Sequence, residues 1–161
     1  MLYLHRRHVT DGGGPGKYRG GVGAESAFTV HNCPEDTIKL VAIGVAGLRN
    51  SGQGIFGGYP GAPGILVHYE NAKLTEHIAE KDWIRDVSEL GIKGKLLPYC
   101  EIEFKKNDVL YMRTENGGGY GDPLEREPEM VAKDVKYGSR LSTSSSGCLR
   151  RSHKRYVRLT R

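Results

Sequence analysis

The chain has 161 residues, a formal net charge of +5 at neutral pH, 23 glycines and three cysteines. That length fits one domain with a real core and is short for a two-domain enzyme. Cys33, Cys100 and Cys148 are odd in number and far apart, which excludes a disulfide framework and a structural zinc site. With no apolar stretch near the ~18 residues of a membrane span, the sequence predicts a cytoplasmic protein with no membrane role.

Residues 2–9 read as a short strand, and no turn or cap precedes it. Residues 11–23, DGGGPGKYRGGVG, form a loop whose glycines permit close backbone approach. Strands are predicted over 26–31 and 38–44, and Asn32-Cys33-Pro34-Glu35-Asp36 between them has turn composition, so the pair reads as a hairpin. A second glycine-proline stretch covers 44–64, and a strand follows over 65–69. The spacing of Leu74, Ile78, Ile84 and Val87 predicts a helix within 71–90. Strands over 96–104 and 109–113, joined by Lys105-Lys106-Asn107-Asp108, carry a second hairpin signature. A third glycine run occupies 116–123, and a short helix over 128–137 has Pro128 in its first turn and Gly138 at its end.

The basic excess is local. Residues 141–161 hold six of the 24 lysines and arginines and no acidic residue, leaving 18 basic against 19 acidic side chains over 1–140. This Ser/Arg-rich segment has the composition of a disordered arm, and with only Tyr156 among its aromatics it is no stacking platform, so no nucleic-acid role is expected.

Familiar site motifs fail on spacing. In GGGPGK the position five before Gly16 is Asp11, where a phosphate-binding loop needs glycine, and Tyr18 stands where Ser or Thr would ligate magnesium. Gly52, Gly54 and Gly57 match a dinucleotide fingerprint, but Gly58 to Gly64 cannot form the helix it requires. On a strand, His5 and His8 point to opposite faces, and His31 and Cys33 lack a third ligand, so no metal site is expected within the chain. No nucleophile elbow occurs, and Cys33 beside Pro34 reads as a small apolar residue.

The glycine segments carry a more specific signal. Residues 11–23 resemble the "SGGPGRYRGG" signature of the hydantoinase B/oxoprolinase family. FGGYPGAPG at 56–64 is similar to that family's "GGxPGAPG" segment, NDVL at 107–110 to its "GDV" strand, and GGGYGDPLEREP at 117–128 to its "GGGGYGDPLERDP" ending. All four stand in the family's order. The resemblance implies a hydantoinase B-like carboxy-terminal domain over 1–140 followed by the basic tail 141–161. The fold expected is mostly β (α+β), with antiparallel strands linked by glycine-rich loops and two short helices.

The resemblance further implies a portion of an ATP-dependent cyclic-amide hydrolase, of hydantoinase or 5-oxoprolinase type, acting on a small molecule in a complex. The partners implied are a hydantoinase A-like subunit and the remaining amino-terminal part of hydantoinase B. ATP and a divalent metal belong to the parent complex, and no cofactor is expected within this chain. Relatives carboxylate ketones such as acetone or acetophenone, and the segment 71–98 is longer than the simple hydantoinase pattern, which leans toward that branch. The abrupt start and the unfamiliar ending read as a split, truncated or frameshifted frame, with a non-catalytic remnant as the further alternative. If residues here reach substrate or nucleotide, Arg19, Tyr120 and Asp122 are the candidates, as polar groups on loops held by rigid neighbours.

Overall fold

A computed structural model describes residues 1–42, 51–80, 83–98 and 100–137. The predicted basic tail and Gly138 lie outside the described residues. The chain falls into two compact units, the first built from Met1–Arg7, Ala24–Asn50 and Gly64–Thr114, the second from His8–Gly23, Ser51–Pro63 and Glu115–Arg161.

The first unit holds the regular structure. Strands β1 (Leu2–His8), β2 (Ala24–Thr29), β4 (Ile65–Tyr69), β5 (Lys95–Leu96) and β7 (Val109–Arg113) form one sheet in the order β1-β2-β7-β4-β5. Strands β3 (Thr37–Ala42) and β6 (Cys100–Lys105) form a separate two-stranded sheet. The recorded pairs β2/β7, β4/β7, β4/β5 and β3/β6 are all antiparallel. The architecture is therefore mostly β with two helices, as the sequence predicts.

Side-chain alternation explains why two layers flank the larger sheet. On β7, Val109 and Tyr111 join Leu4, Ala27, Ala72, Leu74, Ile84 and Leu90 in one apolar cluster. Its alternate residues Leu110 and Met112 meet Leu66, Leu97, Phe104, Ile38, Leu40 and Ile102 in another. A strand with period-two side chains feeds both faces, so the central strand must be apolar throughout. One face is covered by the segment around α1 (Leu74–Ala79), the other by the β3/β6 sheet. Phe104 and Val109 are wholly enclosed.

Both predicted hairpins are corrected. Ser26 to Phe28 of β2 pair with Leu110 to Met112 of β7, whereas Ile38 of β3 pairs with Phe104 of β6. The turn residues do turn the chain, but each turn carries it from one sheet into the other, because burying two apolar faces against each other outweighs closing a local ladder. The helix predicted over 71–90 is also interrupted. It comprises six-residue α1 and a 3-10 turn at Val87–Leu90, which Asp86 starts by accepting from the Ser88 N–H at 3.0 Å. Of the apolar residues behind that prediction Leu74 and Ile84 are buried, whereas Ile78 is 43% exposed; α1 ends at Ala79 and Asp86 caps the start of the separate turn. Strand 96–104 is likewise divided into β5 and β6 around Pro98.

The second unit is made chiefly of the three glycine segments. Among the described residues its helical elements are a 3-10 turn at Pro123–Glu125 and α2 (Pro128–Lys136), with Pro128 in the first turn and Val131 buried.

Candidate functional site

In the second unit the glycine segments are laid against one another by backbone hydrogen bonds. Gly14 N donates to Gly117 O at 2.9 Å, Tyr59 N to Pro15 O at 2.8 Å, Ile55 N to Gly119 O at 3.0 Å and Gly119 N to Tyr59 O at 2.9 Å. The segment 116–121 lies between the other two, and only glycine permits that approach. A Cβ on Gly119 would sit 2.1 Å from the Pro15 carbonyl oxygen, and one on Gly118 would sit 2.0 Å from that of Gln53. Asn116, 3% exposed, ties the three together: its Oδ1 accepts from Gly23 N at 2.6 Å and its Nδ2 donates to Ala62 O at 3.0 Å.

This packing decides what the glycines can do. A phosphate cradle presents free backbone N–H groups to a ligand. Here Gly14, Lys17, Tyr18 and Gly20 donate theirs to Gly117, Gly121, Tyr120 and Gly14. Those four N–H groups are not open to a phosphate. Among the described residues, no three His, Cys, Asp or Glu side chains gather as a metal ion would need.

Arg19 lies in a pocket of this unit. Its guanidinium is 3.6 Å from Asp11 and 3.8 Å from Asp134, and its Nε donates to Gly13 O at 3.3 Å. Arg126 shares the same carboxylate, donating to Asp134 Oδ2 at 2.9 Å and to Lys17 O at 3.0 Å. Each arginine side chain is only 8% exposed. Tyr18, Arg19, Gly20, Val22, Arg126, Met130 and Asp134 line a cavity of about 310 Å³. The sequence points to Arg19 and not to Arg126 or Asp134, although Arg126 lies in the same phrase GDPLEREP as the candidate Asp122.

Tyr120 and Asp122 do not line that cavity. Tyr120 is half exposed and stacks at a tilt on Phe56 (5.3 Å between ring centres) and Tyr18 (6.1 Å). Asp122 accepts from Leu124 N at 2.8 Å, capping the 3-10 turn. The candidates thus occupy three settings: a buried ion cluster, an exposed aromatic patch and a turn.

The first unit holds a polar arrangement that the sequence did not reveal. His68, 5% exposed on β4, has its Nε2 2.9 Å from Asp108 Oδ2. The Asp108 carboxylate also accepts from Asn71 N at 2.9 Å and Lys105 N at 3.0 Å, so it shapes the turn before β7 while orienting the imidazole. Both line a cavity of about 470 Å³ with Glu70, Lys95, Glu101, Glu103 and Lys105. Elsewhere Tyr111 donates to Glu25 at 2.7 Å, and Arg7 bridges Glu25 and Asp86. Burial and that bond to Glu25 push the Tyr111 hydroxyl well up, while the Ser88 N–H and then Arg7 hold Asp86 down at about 2. Tyr111 therefore stays protonated at neutral pH, and this network braces the sheet.

Glycine segments in this order, packed against one another in one unit, and a mostly antiparallel sheet structure in the other define the class of protein. The hydantoinase B/oxoprolinase model matches residues 1–123, and the chain belongs to that family. It is 33% identical over 159 residues to the acetone carboxylase alpha subunit of Xanthobacter autotrophicus, covering 86% of this chain and 19% of that protein. To the acetophenone carboxylase delta subunit of Aromatoleum aromaticum it is 37% identical over 151 residues, covering 86% of this chain and 22% of that subunit. A nucleotide-free acetone carboxylase structure superposes with a TM-score of 0.71 at 28% identity over 91% of this chain and 21% of its own. An ATP-dependent caprolactamase from Pseudomonas jessenii shares the fold at a TM-score of 0.55 and 21% identity, over 85% of this chain and 21% of its own. The chain spans about a fifth of the length of each of these proteins.

Proposed function

We propose that this chain works as part of a large subunit of an ATP-dependent enzyme of the hydantoinase B/oxoprolinase family, on the branch that carboxylates ketones. The observation that carries this reading is the likeness to acetone and acetophenone carboxylase subunits, at 33% and 37% identity over 86% of the chain. The long segment 71–98, which supplies α1, the 3-10 turn and β5, supports the same branch. ATP and a divalent metal would be held by other parts of the complex, a hydantoinase A-like subunit and the rest of the hydantoinase B portion. The Gly14, Gly20 and Gly119 N–H groups here already donate to Gly117 O, Gly14 O and Tyr59 O.

Hydrolysis of a cyclic amide, first on the sequence resemblance to hydantoinases and 5-oxoprolinases, is the second reading. Within the complex this chain would supply a rigid glycine scaffold that positions Arg19 and, on its aromatic patch, Tyr120, with Asp122 fixing the turn between Gly121 and α2.

A pull-down of this chain against the products of neighbouring reading frames, followed by an ATPase assay of whatever assembles, tests both. Stable association with ATP turnover dependent on ketone and bicarbonate is expected. Turnover with hydantoin or 5-oxoproline would select the second reading. Absence of both partner and turnover would leave a non-catalytic remnant.

A further inference from the structure

Three rings of the second unit stand exposed in contact with one another, an arrangement that burial does not explain. Tyr18, Phe56 and Tyr120 come one from each glycine segment, and Tyr120 meets both of the others. Backbone bridges hold Tyr18 and the exposed Ile55 beside Tyr120. At ~150–250 Å² for each aromatic side chain, the four residues leave roughly 400 Å² of apolar surface in one place, a size that on soluble domains is often functional. Phe56 is the sharpest case. Gly58 N donates to Ile55 O at 3.0 Å, closing a turn whose central residues Phe56 and Gly57 have φ of 51° and 91°. Positive φ at both positions is the type I′ pattern, which favours Asn or Gly at the first of them. A phenylalanine there strains the backbone, and its ring, 78% exposed, recovers little by burial. Next to Tyr18, Lys17 is already paired with Glu125 at 3.3 Å, so the patch suits an apolar partner and not a charged one.

We propose that this patch seats an apolar face of the rest of a hydantoinase B-type subunit, with the Phe56 ring as its anchor. The occupant follows from chain length. In the carboxylase relatives the matched segment is 19% to 22% of one continuous polypeptide. The other four-fifths or so is thus tethered to this segment in each relative, whereas a separate subunit is not. Rings fixed in advance by backbone hydrogen bonds lose little freedom on binding, as an anchor should. The choice of occupant rests on the proposed function; the exposure and strain of Phe56 do not.

The test measures binding of the chain to the products of neighbouring reading frames by calorimetry, for the unaltered protein, Phe56→Asn, Ile55→Thr and Val41→Thr. Val41, on β3 and 56% exposed, is a control outside the patch. Asparagine tolerates left-handed φ, so Phe56→Asn is expected to leave the urea unfolding midpoint unchanged or raised. The same variant is expected to weaken binding of a product resembling the amino-terminal part of hydantoinase B by about tenfold or more. Ile55→Thr should weaken it less, and Val41→Thr not at all. A lowered midpoint in Phe56→Asn would show that the ring serves the fold, and undiminished binding by that variant, or equal weakening by Val41→Thr, would remove the patch from the interface. Self-association lost in Phe56→Asn, or capture of a hydantoinase A-like product alone, would replace the occupant. Each of these results, and binding to none of the products, overturns the assignment. Patch-dependent binding without ATP turnover would keep the surface and reject the proposed activity; turnover by a complex indifferent to both patch variants would do the reverse.

Discussion

At Asn116 one buried amide serves two glycine segments at once, accepting from Gly23 N and donating to Ala62 O. Truncation strands both partners in the interior of the second unit. Asn116→Ala is expected to destabilise the protein by about 2 to 4 kcal/mol, read as a lowered midpoint in urea unfolding. Asn116→Asp keeps the acceptor for Gly23 and removes the donor to Ala62, so it should still fall below the natural protein. Asp86 gives an acid-dependent effect. Its folded pKa of about 2 lies below its ordinary 3.8, so its contribution is present above about pH 4 and is lost as the pH falls through about 2. Asp86→Asn should flatten the part of the stability profile between those two values, measured as unfolding midpoint against pH; an unchanged slope would remove Asp86 from the account. The side chains meeting Arg7 are Glu25 and Asp86, so Arg7 retains one partner in the variant.

At the level of elements, the glycine segments and the strands follow different physics. The segments are held by backbone contact, and Gly119 is where a single methyl should be intolerable, its Cβ falling 2.1 Å from Pro15 O. Gly21 is the internal control, since a Cβ there meets nothing within 4 Å. Gly119→Ala is expected to expose residues 12–20 to hydrogen exchange and proteolysis, while Gly21→Ala leaves both unchanged. Equal behaviour of the two would mean that close approach is not what demands glycine. The strands, by contrast, were legible as apolar runs but not as pairs. Phe28 and Leu110 lie opposite each other across β2 and β7, although 82 positions separate them in the chain. Local turn composition at 32–36 and 105–108 marked reversals correctly, yet said nothing of which sheet the chain would enter next. The same limit divided the helix predicted over 71–90: periodicity reports which residues face a core, and the carboxylate of Asp86 decides where a helix starts anew.

For the molecule as a whole, the sequence by itself determined the class of fold and the family. Both reside in local features: apolar alternation, turn residues, and glycine phrases in a given order over residues matched from 1 to 123. It also selected Arg19, as a polar side chain on a glycine-rich loop. What only the tertiary structure decided was long-range. Arg126 and Asp134 join Arg19 from a segment more than a hundred positions away, and His68 meets Asp108 across forty. Tertiary contact likewise separated the three candidates, placing Arg19 in a cavity, Tyr120 on an aromatic surface and Asp122 in a cap. The physical reason is the range of the forces read at each stage. Backbone propensity and side-chain period act over a few residues and are visible in the order of letters. Ion pairing and close packing act between groups that only the folded chain brings together.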